Sequence, residues 1–362
     1  MNFMPSRAPD VVAITGASSG VGRAVVHEFA RAGWRIALIA RDADALEQVR
    51  SEVEELGGSA IVVPADVSDA EAVFAAADTI ARSFGGIDVW INDAMVTVFS
   101  PVWEMTPEEF RRVTEVTYLG FVHGTMAALR HMRPVNRGKI IQIGSALAYR
   151  GIPLQSAYCG AKYAIRGFTD SLRTELLHEH SRISMTMVEL PAVNTPQFDW
   201  ARTHMPRQPR PVAPVVEPEV IARSVFGVVA VPRREVWIGL STIKVILGNM
   251  VLPEFLDRYL ARMAVRGQQT NQPVAADRKD NLTAPVHELH RVHGRFGREA
   301  QNWAVTTGGP LARTAPLVIG GIMFFLSGYL LAPRRRRLAG SRSPAINRSR
   351  PQQQRQVRNA RW

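Results

Sequence analysis

The stretch "VVAITGASSGVG", residues 11–22, decides the fold. Val11 to Thr15 form a short apolar, β-branched run that reads as a buried strand, and the chain then passes through Gly16, Gly20 and Gly22 into a stretch of helical character ending near Ala32. In a dinucleotide-binding corner one glycine lets the chain bend, one lets the backbone approach a pyrophosphate, and one lets the helix pack on the strand. The helix N-terminus then faces the phosphates. Three glycines this close also occur in plain tight turns. Their position between a first strand and a first helix favours the cofactor reading.

Working outward, the same alternation continues. The runs "RIALIA" (35–40), "AIVVPAD" (60–66), "IDVWIND" (87–93), "KIIQIGS" (139–145), "SMTMVEL" (184–190) and "EVWIGL" (235–240) read as buried strands. Helical stretches lie between them, at 44–56, 69–84, 107–132 and 157–178. Strands separated by helices imply right-handed crossovers and a doubly wound parallel sheet, an α/β fold of the Rossmann type. Residues 199–218 are proline-rich and read as an ordered flap.

Composition sets limits on function. The 362 residues are 46% hydrophobic, enough for a large core, and carry a net charge of +12. The last thirty residues hold ten arginines and no acidic residue, so the basic character belongs to the tail and not to the body. That tail lacks the interleaved aromatic residues of a nucleic-acid binder, Trp362 apart, which argues against such a partner. Cys159 is the only cysteine, which excludes an intrachain disulfide and a thiolate metal cluster. No metal site is expected. The N-terminus has no apolar run of the signal-peptide kind, so the body is expected to face the cytoplasm.

Two further features bear on chemistry. The second strand ends in Ala40 and Arg41; an acidic residue there would take a ribose 2′-hydroxyl, whereas arginine favours a 2′-phosphate and so NADP(H) over NAD(H). In "QSAYCGAKYA" (155–164), Tyr158 and Lys162 stand four apart and share one face of a helix lined by small residues.

Taken together, the glycine turn, Asp66 after the third strand, "NDA" after the fourth, Ser145 after the fifth, and Tyr158 with Lys162 resemble the short-chain dehydrogenase/reductase family over roughly residues 8–240. The resemblance implies that Tyr158 is the general acid/base, that Lys162 holds the nicotinamide ribose and lowers the tyrosine pKa, and that Ser145 orients the carbonyl. It assigns the cofactor to Thr15, Gly16, Ser18, Gly20, Val21 and Gly22, with Asp66, Val67 and Asn92 at the adenosine side and Pro191 and Thr195 near the nicotinamide. Three positions depart from the family pattern. Thr117 replaces the usual asparagine of the central helix, and its single hydroxyl cannot reproduce an amide's donors in the catalytic proton relay. The usual "NNAG" reads "NDAM", residues 92–95, and the usual "PG" reads Pro191, Ala192.

Past residue 240 the expectations are a helical extension with a polar linker (241–310), an apolar segment (311–332) and an arginine-rich tail (333–362). Residues 253–265 have an amphipathic stripe. His287, His290 and His293 lie in the stretch read as a linker with helical character. The uncharged run 317–332 would reach about 24 Å as a helix, short of a hydrocarbon core of roughly 30 Å. It is expected to associate with a membrane, spanning or re-entrant, with the arginines on anionic headgroups. The resulting expectation is a membrane-associated NADP(H)-dependent enzyme interconverting a carbonyl and an alcohol on an apolar substrate, with homo-oligomer formation left open. The alternative is a cofactor-binding protein with weak turnover.

Overall fold

The computed structural model describes residues 10–309. Eight strands form one sheet: β1 (Val11–Thr15), β2 (Arg35–Ala40), β3 (Ser59–Pro64), β4 (Val89–Asn92), β5 (Gly138–Ile143), β6 (Ile183–Glu189), β7 (Glu235–Ile238) and β8 (Thr306–Gly308). Their order is β3-β2-β1-β4-β5-β6-β7-β8. The first seven run parallel and β8 closes the edge antiparallel to β7. The sheet reverses its winding between β1 and β4, which opens a crevice beyond the carboxyl ends of those strands.

Strand alternation explains the two cores. Val12 and Ile14 of β1 point to one face, where α1 (Gly20–Arg31), α2 (Ala43–Glu55) and the later helix Pro218–Ala230 pack. Val11 and Ala13 point to the other, where α3 (Ala70–Phe84), α4 (Pro107–Thr114), α5 (Gly120–Met132) and α6 (Ser156–His178) pack. Both faces are covered, so the strands read as continuous apolar runs. Phe29 of α1 is fully buried, edge-on to Trp34 and Phe226 at 5.0 Å each.

The helix expected over 107–132 is interrupted. Glu115–Leu119 form a π-helical turn between α4 and α5, and Thr117 sits within it. The helix Pro218–Ala230 is α7, followed by α8 (Leu240–Val251) and α9 (Pro253–Gly267).

The stretch 267–309 is not a helical linker. Gln269–Pro273 pairs antiparallel with Arg207–Pro209 of the proline-rich flap, Ala300–Gln301 pairs with Val215–Val216, and Thr306–Gly308 is β8. Its backbone polar groups are met by strand edges remote in sequence, which no local periodicity announces. Among the described residues no helix is long and apolar enough to cross a membrane. The apolar run 317–332 and the arginine tail lie outside the described residues.

Candidate active site

The glycine turn is built as a cradle. Gly16 and Gly20 have φ of +75° and +56°, left-handed conformations that favour glycine. A Cβ on Gly22 would lie 2.2 Å from the Gly16 carbonyl oxygen, so only glycine lets α1 begin this close to β1. Ser18 and Val21 face the cleft together with Gly16 and Gly20. Thr15 and Gly22 stand behind that wall. The Thr15 hydroxyl accepts the backbone N–H groups of Asp93 (3.0 Å) and Ala94 (3.3 Å), tying the turn to the loop after β4.

At the end of the cleft beside β2 and β3, Arg41, Asp66 and Val67 line the wall. Asp66 accepts from the Ser68 N–H (3.0 Å) and hydroxyl (2.8 Å) and pairs with Arg112 at 2.5 Å. Burial pushes its carboxyl up, but Arg112 and the Ser68 donors outweigh burial and hold it below the usual carboxylate value. Arg41 donates from Nη2 to the Asn281 carbonyl at 2.7 Å, while its Nη1 is buried without a hydrogen-bond partner. Asn92 is a correction to the expected set. Its amide donates to Phe121 O, Thr125 Oγ1 and Gln142 Oε1, and its carbonyl accepts from Trp90 Nε1. Those bonds use it as a bracket between β4, β5 and α5, fully buried and away from the cleft wall.

Ser145, Tyr158 and Lys162 converge on the same cleft. The Ser145 oxygen accepts the Leu147 N–H at 3.1 Å, which fixes the rotamer and leaves its O–H to donate, and the serine pulls the Tyr158 phenol down. Lys162 is 2% exposed, donates to the Ile143 carbonyl at 2.7 Å, and lies 4.7 Å from the Phe121 ring centroid and 5.6 Å from that of Tyr158. Burial lowers the lysine to about 8, against the opposing pull of Asp93 and Glu189. The phenol moves the other way from expectation. Burial raises Tyr158 above its ordinary value and outweighs the pull of Ser145, so the group stands as a proton donor.

Thr117 does not join this group. Its hydroxyl donates to Val96 O (2.8 Å) and accepts Val96 N–H (3.1 Å), which pins the π-helical turn to the loop after β4 and leaves the side chain fully buried off the cleft. Pro191 and Thr195 line the cleft on the far side. Asp93 is a charged group that sequence reasoning passed over. It lines the cleft under the glycine turn, accepts the Gly22 N–H, and is raised by burial to about 7 although Lys162 pulls it down. The signal was present in "NDAM", where an acid stands in the family's second asparagine position.

The cleft measures roughly 420 Å³ and continues from Tyr158 along Val245, Leu256, Tyr259 and Leu260 of α8 and α9. The sequence matches the family model for short chain dehydrogenases over residues 10–205. The chain belongs to the short-chain dehydrogenase family. It is 32% identical over 266 residues to the uncharacterized oxidoreductase YxnA of Bacillus subtilis, covering 73% of this chain and 74% of that one. It is also 32% identical over 227 residues to a fatty acyl-CoA reductase of Acinetobacter baylyi, 62% of this chain and 74% of that protein. Among solved structures, an alcohol dehydrogenase of Thermococcus sibiricus complexed with 5-hydroxy-NADP superposes with a TM-score of 0.53 at 28% identity, over 62% of this chain and 92% of that chain. As a short-chain dehydrogenase the protein is an oxidoreductase that uses a nicotinamide dinucleotide. Its own geometry fits the group: a glycine turn whose Gly16 and Gly20 hold left-handed backbone at the cleft wall, and a buried arginine nitrogen without a partner at the end of β2.

Proposed function

We propose that the protein is an NADP(H)-dependent oxidoreductase that interconverts a carbonyl and an alcohol on an apolar substrate at a membrane surface. The observation that carries this reading is the meeting of Ser145, Tyr158 and Lys162 in one cleft with an apolar wall formed by Val245, Leu256 and Leu260.

A bound NADP(H) supplies the hydride. Tyr158 donates its phenolic proton to the carbonyl oxygen as negative charge develops there, and Ser145 donates a hydrogen bond to the same oxygen. The Lys162 ammonium favours the phenolate left behind. An upward-shifted phenol suits reduction, since the tyrosine starts protonated at neutral pH. Arg41 supports NADP(H) because a buried guanidinium nitrogen without a partner suits a 2′-phosphate.

Helix α9 supports the membrane reading. Phe255, Tyr259 and Met263 are 50 to 61% exposed, with Arg258, Arg262 and Arg266 exposed on the same helix, and Leu256, Tyr259 and Leu260 of that helix line the cleft. Apolar side chains entering headgroups beside cationic ones is the pattern of an interfacial helix. It would set the cleft mouth against lipid, on the cytoplasmic side, with 317–332 and the tail adding attachment. Full-length protein fractionating as soluble at low salt would refute this part.

A specific observation keeps the second reading, a cofactor-binding protein with weak turnover: both hydrogen-bonding roles of the Thr117 hydroxyl are spent on Val96. The experiment that separates the two is purified protein with NADPH against ketones, aldehydes and lipid carbonyls. Oxidation of NADPH with apolar carbonyls is expected; bound NADPH with no turnover on any of them would favour the second reading.

A further inference from the structure

Residues 281–294 cross the nucleotide end of the cleft as a strap, far in sequence from everything they touch. Arg41 Nη2 and Arg112 Nε donate to the carbonyls of Asn281 (2.7 Å) and Leu282 (3.1 Å). Leu282 and Val286 are buried beneath it. Further along, Arg23 Nη1 donates to His290 O at 2.9 Å, Gly20 N–H to Arg291 O at 2.9 Å, and Gly294 N–H to Asn194 O at 3.1 Å. The strap is thereby fastened to the glycine turn, to the end of β2 and to the loop after β6.

The end of β2 presents an ambiguous pair. Arg41 favours a 2′-phosphate, but Asp42, next in sequence, also lines the cleft, and a bare carboxylate there repels a phosphate and invites a 2′-hydroxyl. The strap resolves the ambiguity. One Asp42 oxygen accepts the Ala45 N–H as the cap of α2, and the other meets His287 Nδ1 at 2.6 Å and His290 Nε2 at 2.9 Å. His290 is buried, edge-on to the Trp200 ring at 5.4 Å. Its Nε2 lies against the Asp42 carboxylate, while its Nδ1 is buried without a hydrogen-bond partner. Arg41 Nη1 is likewise buried without a partner. Two buried nitrogens without a hydrogen-bond partner, Arg41 Nη1 and His290 Nδ1, on residues of one cleft wall suit an anion.

Resting on the NADP(H) reading above, we propose that His290 of the strap is a specificity-determining residue that completes the 2′-phosphate subsite with Arg41, and that His287 and His290 together mask the Asp42 charge that would otherwise oppose that phosphate.

The charged and titratable groups facing His290 are Asp42, His287 and Arg23. Burial lowers its imidazole below the ordinary value despite Asp42, so the ring starts neutral near pH 7. A 2′-phosphate beside Asp42 favours the imidazolium, so NADPH binding takes up a proton and weakens as pH rises. NADH binding lacks that dependence.

The test is fluorescence titration of the full-length chain with NADPH and NADH at pH 6 and pH 8. His290→Ala is expected to weaken NADPH roughly ten- to a hundredfold, to leave NADH nearly unchanged, and to flatten the pH dependence of NADPH binding. His290→Ala combined with Asp42→Asn is expected to recover part of the lost NADPH affinity, because the charge that needed masking is gone. A structural strap without a role in specificity predicts a different result: NADPH and NADH weakened alike, and no recovery from Asp42→Asn. Either of those outcomes overturns the inference, as does an unchanged NADPH affinity in His290→Ala. Wild-type protein that binds NADPH while the variants fail to discriminate rejects only the role of the strap. Wild-type protein that binds neither nucleotide overturns the cofactor reading and this inference with it.

Discussion

Residues 11–189 and residues 192–309 meet at one cleft but are built on different physics. From Val11 to Glu189 the cleft wall is set by sheet and helix ends: a glycine cradle, a serine held by a backbone N–H, and a fully buried lysine anchored on a backbone carbonyl. From Ala192 to Gly309 it is set by a flap, two helices and a strap, pieces held together by remote strand pairing and ion pairs. In the proposed reaction the first region fixes the reacting atoms. The second chooses what reaches them.

If that division holds, substitutions in the first region change the rate or cofactor binding, substitutions in the flap and helices of the second change substrate affinity, and the strap is the one part of the second that acts on the nucleotide. Tyr158→Phe gives the largest effect. It removes the proton donor and little volume, and turnover is expected to fall by about 10²- to 10⁴-fold with the NADPH dissociation constant nearly unchanged. Steady-state rates beside fluorescence titration measure both, and wild-type turnover in the variant breaks the division at its centre. Next comes Arg41→Ala, expected to weaken NADPH by roughly ten- to a hundredfold and NADH far less. Equal loss for both nucleotides would mean that the guanidinium is only a support for Asn281.

A smaller effect tests the second region. Leu260→Ala on α9 is expected to raise KM for apolar carbonyls by roughly tenfold and to leave NADPH affinity alone, since it removes cleft-lining apolar area and touches no cofactor group. Weakened NADPH binding of the same size would show that the helices also serve the cofactor.

The smallest effect concerns pH. The Lys162 ammonium, held at about 8, is present below that pH and lost above it, so reduction is expected to decline above pH 8. The Asp93 charge opposes that loss. Asp93→Asn removes the charge while keeping an acceptor for the Gly22 N–H, and the alkaline limb of the rate profile is expected to move to lower pH. A limb that stays in place would show that Lys162 does not control it.

The legible parts of the molecule were those written in neighbouring residues. A strand, a glycine turn and a helix follow one another in "VVAITGASSGVG", so local periodicity carried the fold, whereas Tyr158 and Lys162, one helical turn apart, took their candidate role from the family resemblance. Asn92 was misleading because its neighbours in sequence look like a cofactor loop, while its four hydrogen bonds come from β4, β5 and α5. The upward shift of Tyr158 depends on burial, which the sequence does not display. The strap was illegible for the same reason: Asp42 and His287 meet across most of the chain, and nothing periodic in 281–294 signals a wall of the cleft. Thr117 stands where the resemblance expects an asparagine. What it does in place of a relay, holding Val96 at a π-helical turn, needed the fold.

The most direct measurement of the central claim is the fate of the hydride. Purified full-length protein supplied with NADPH deuterated at the nicotinamide C4 and an apolar ketone is expected to yield the alcohol with one deuterium on the former carbonyl carbon, from one face of the nicotinamide only. NADPH that binds but transfers no deuterium to any apolar ketone or aldehyde would contradict the account.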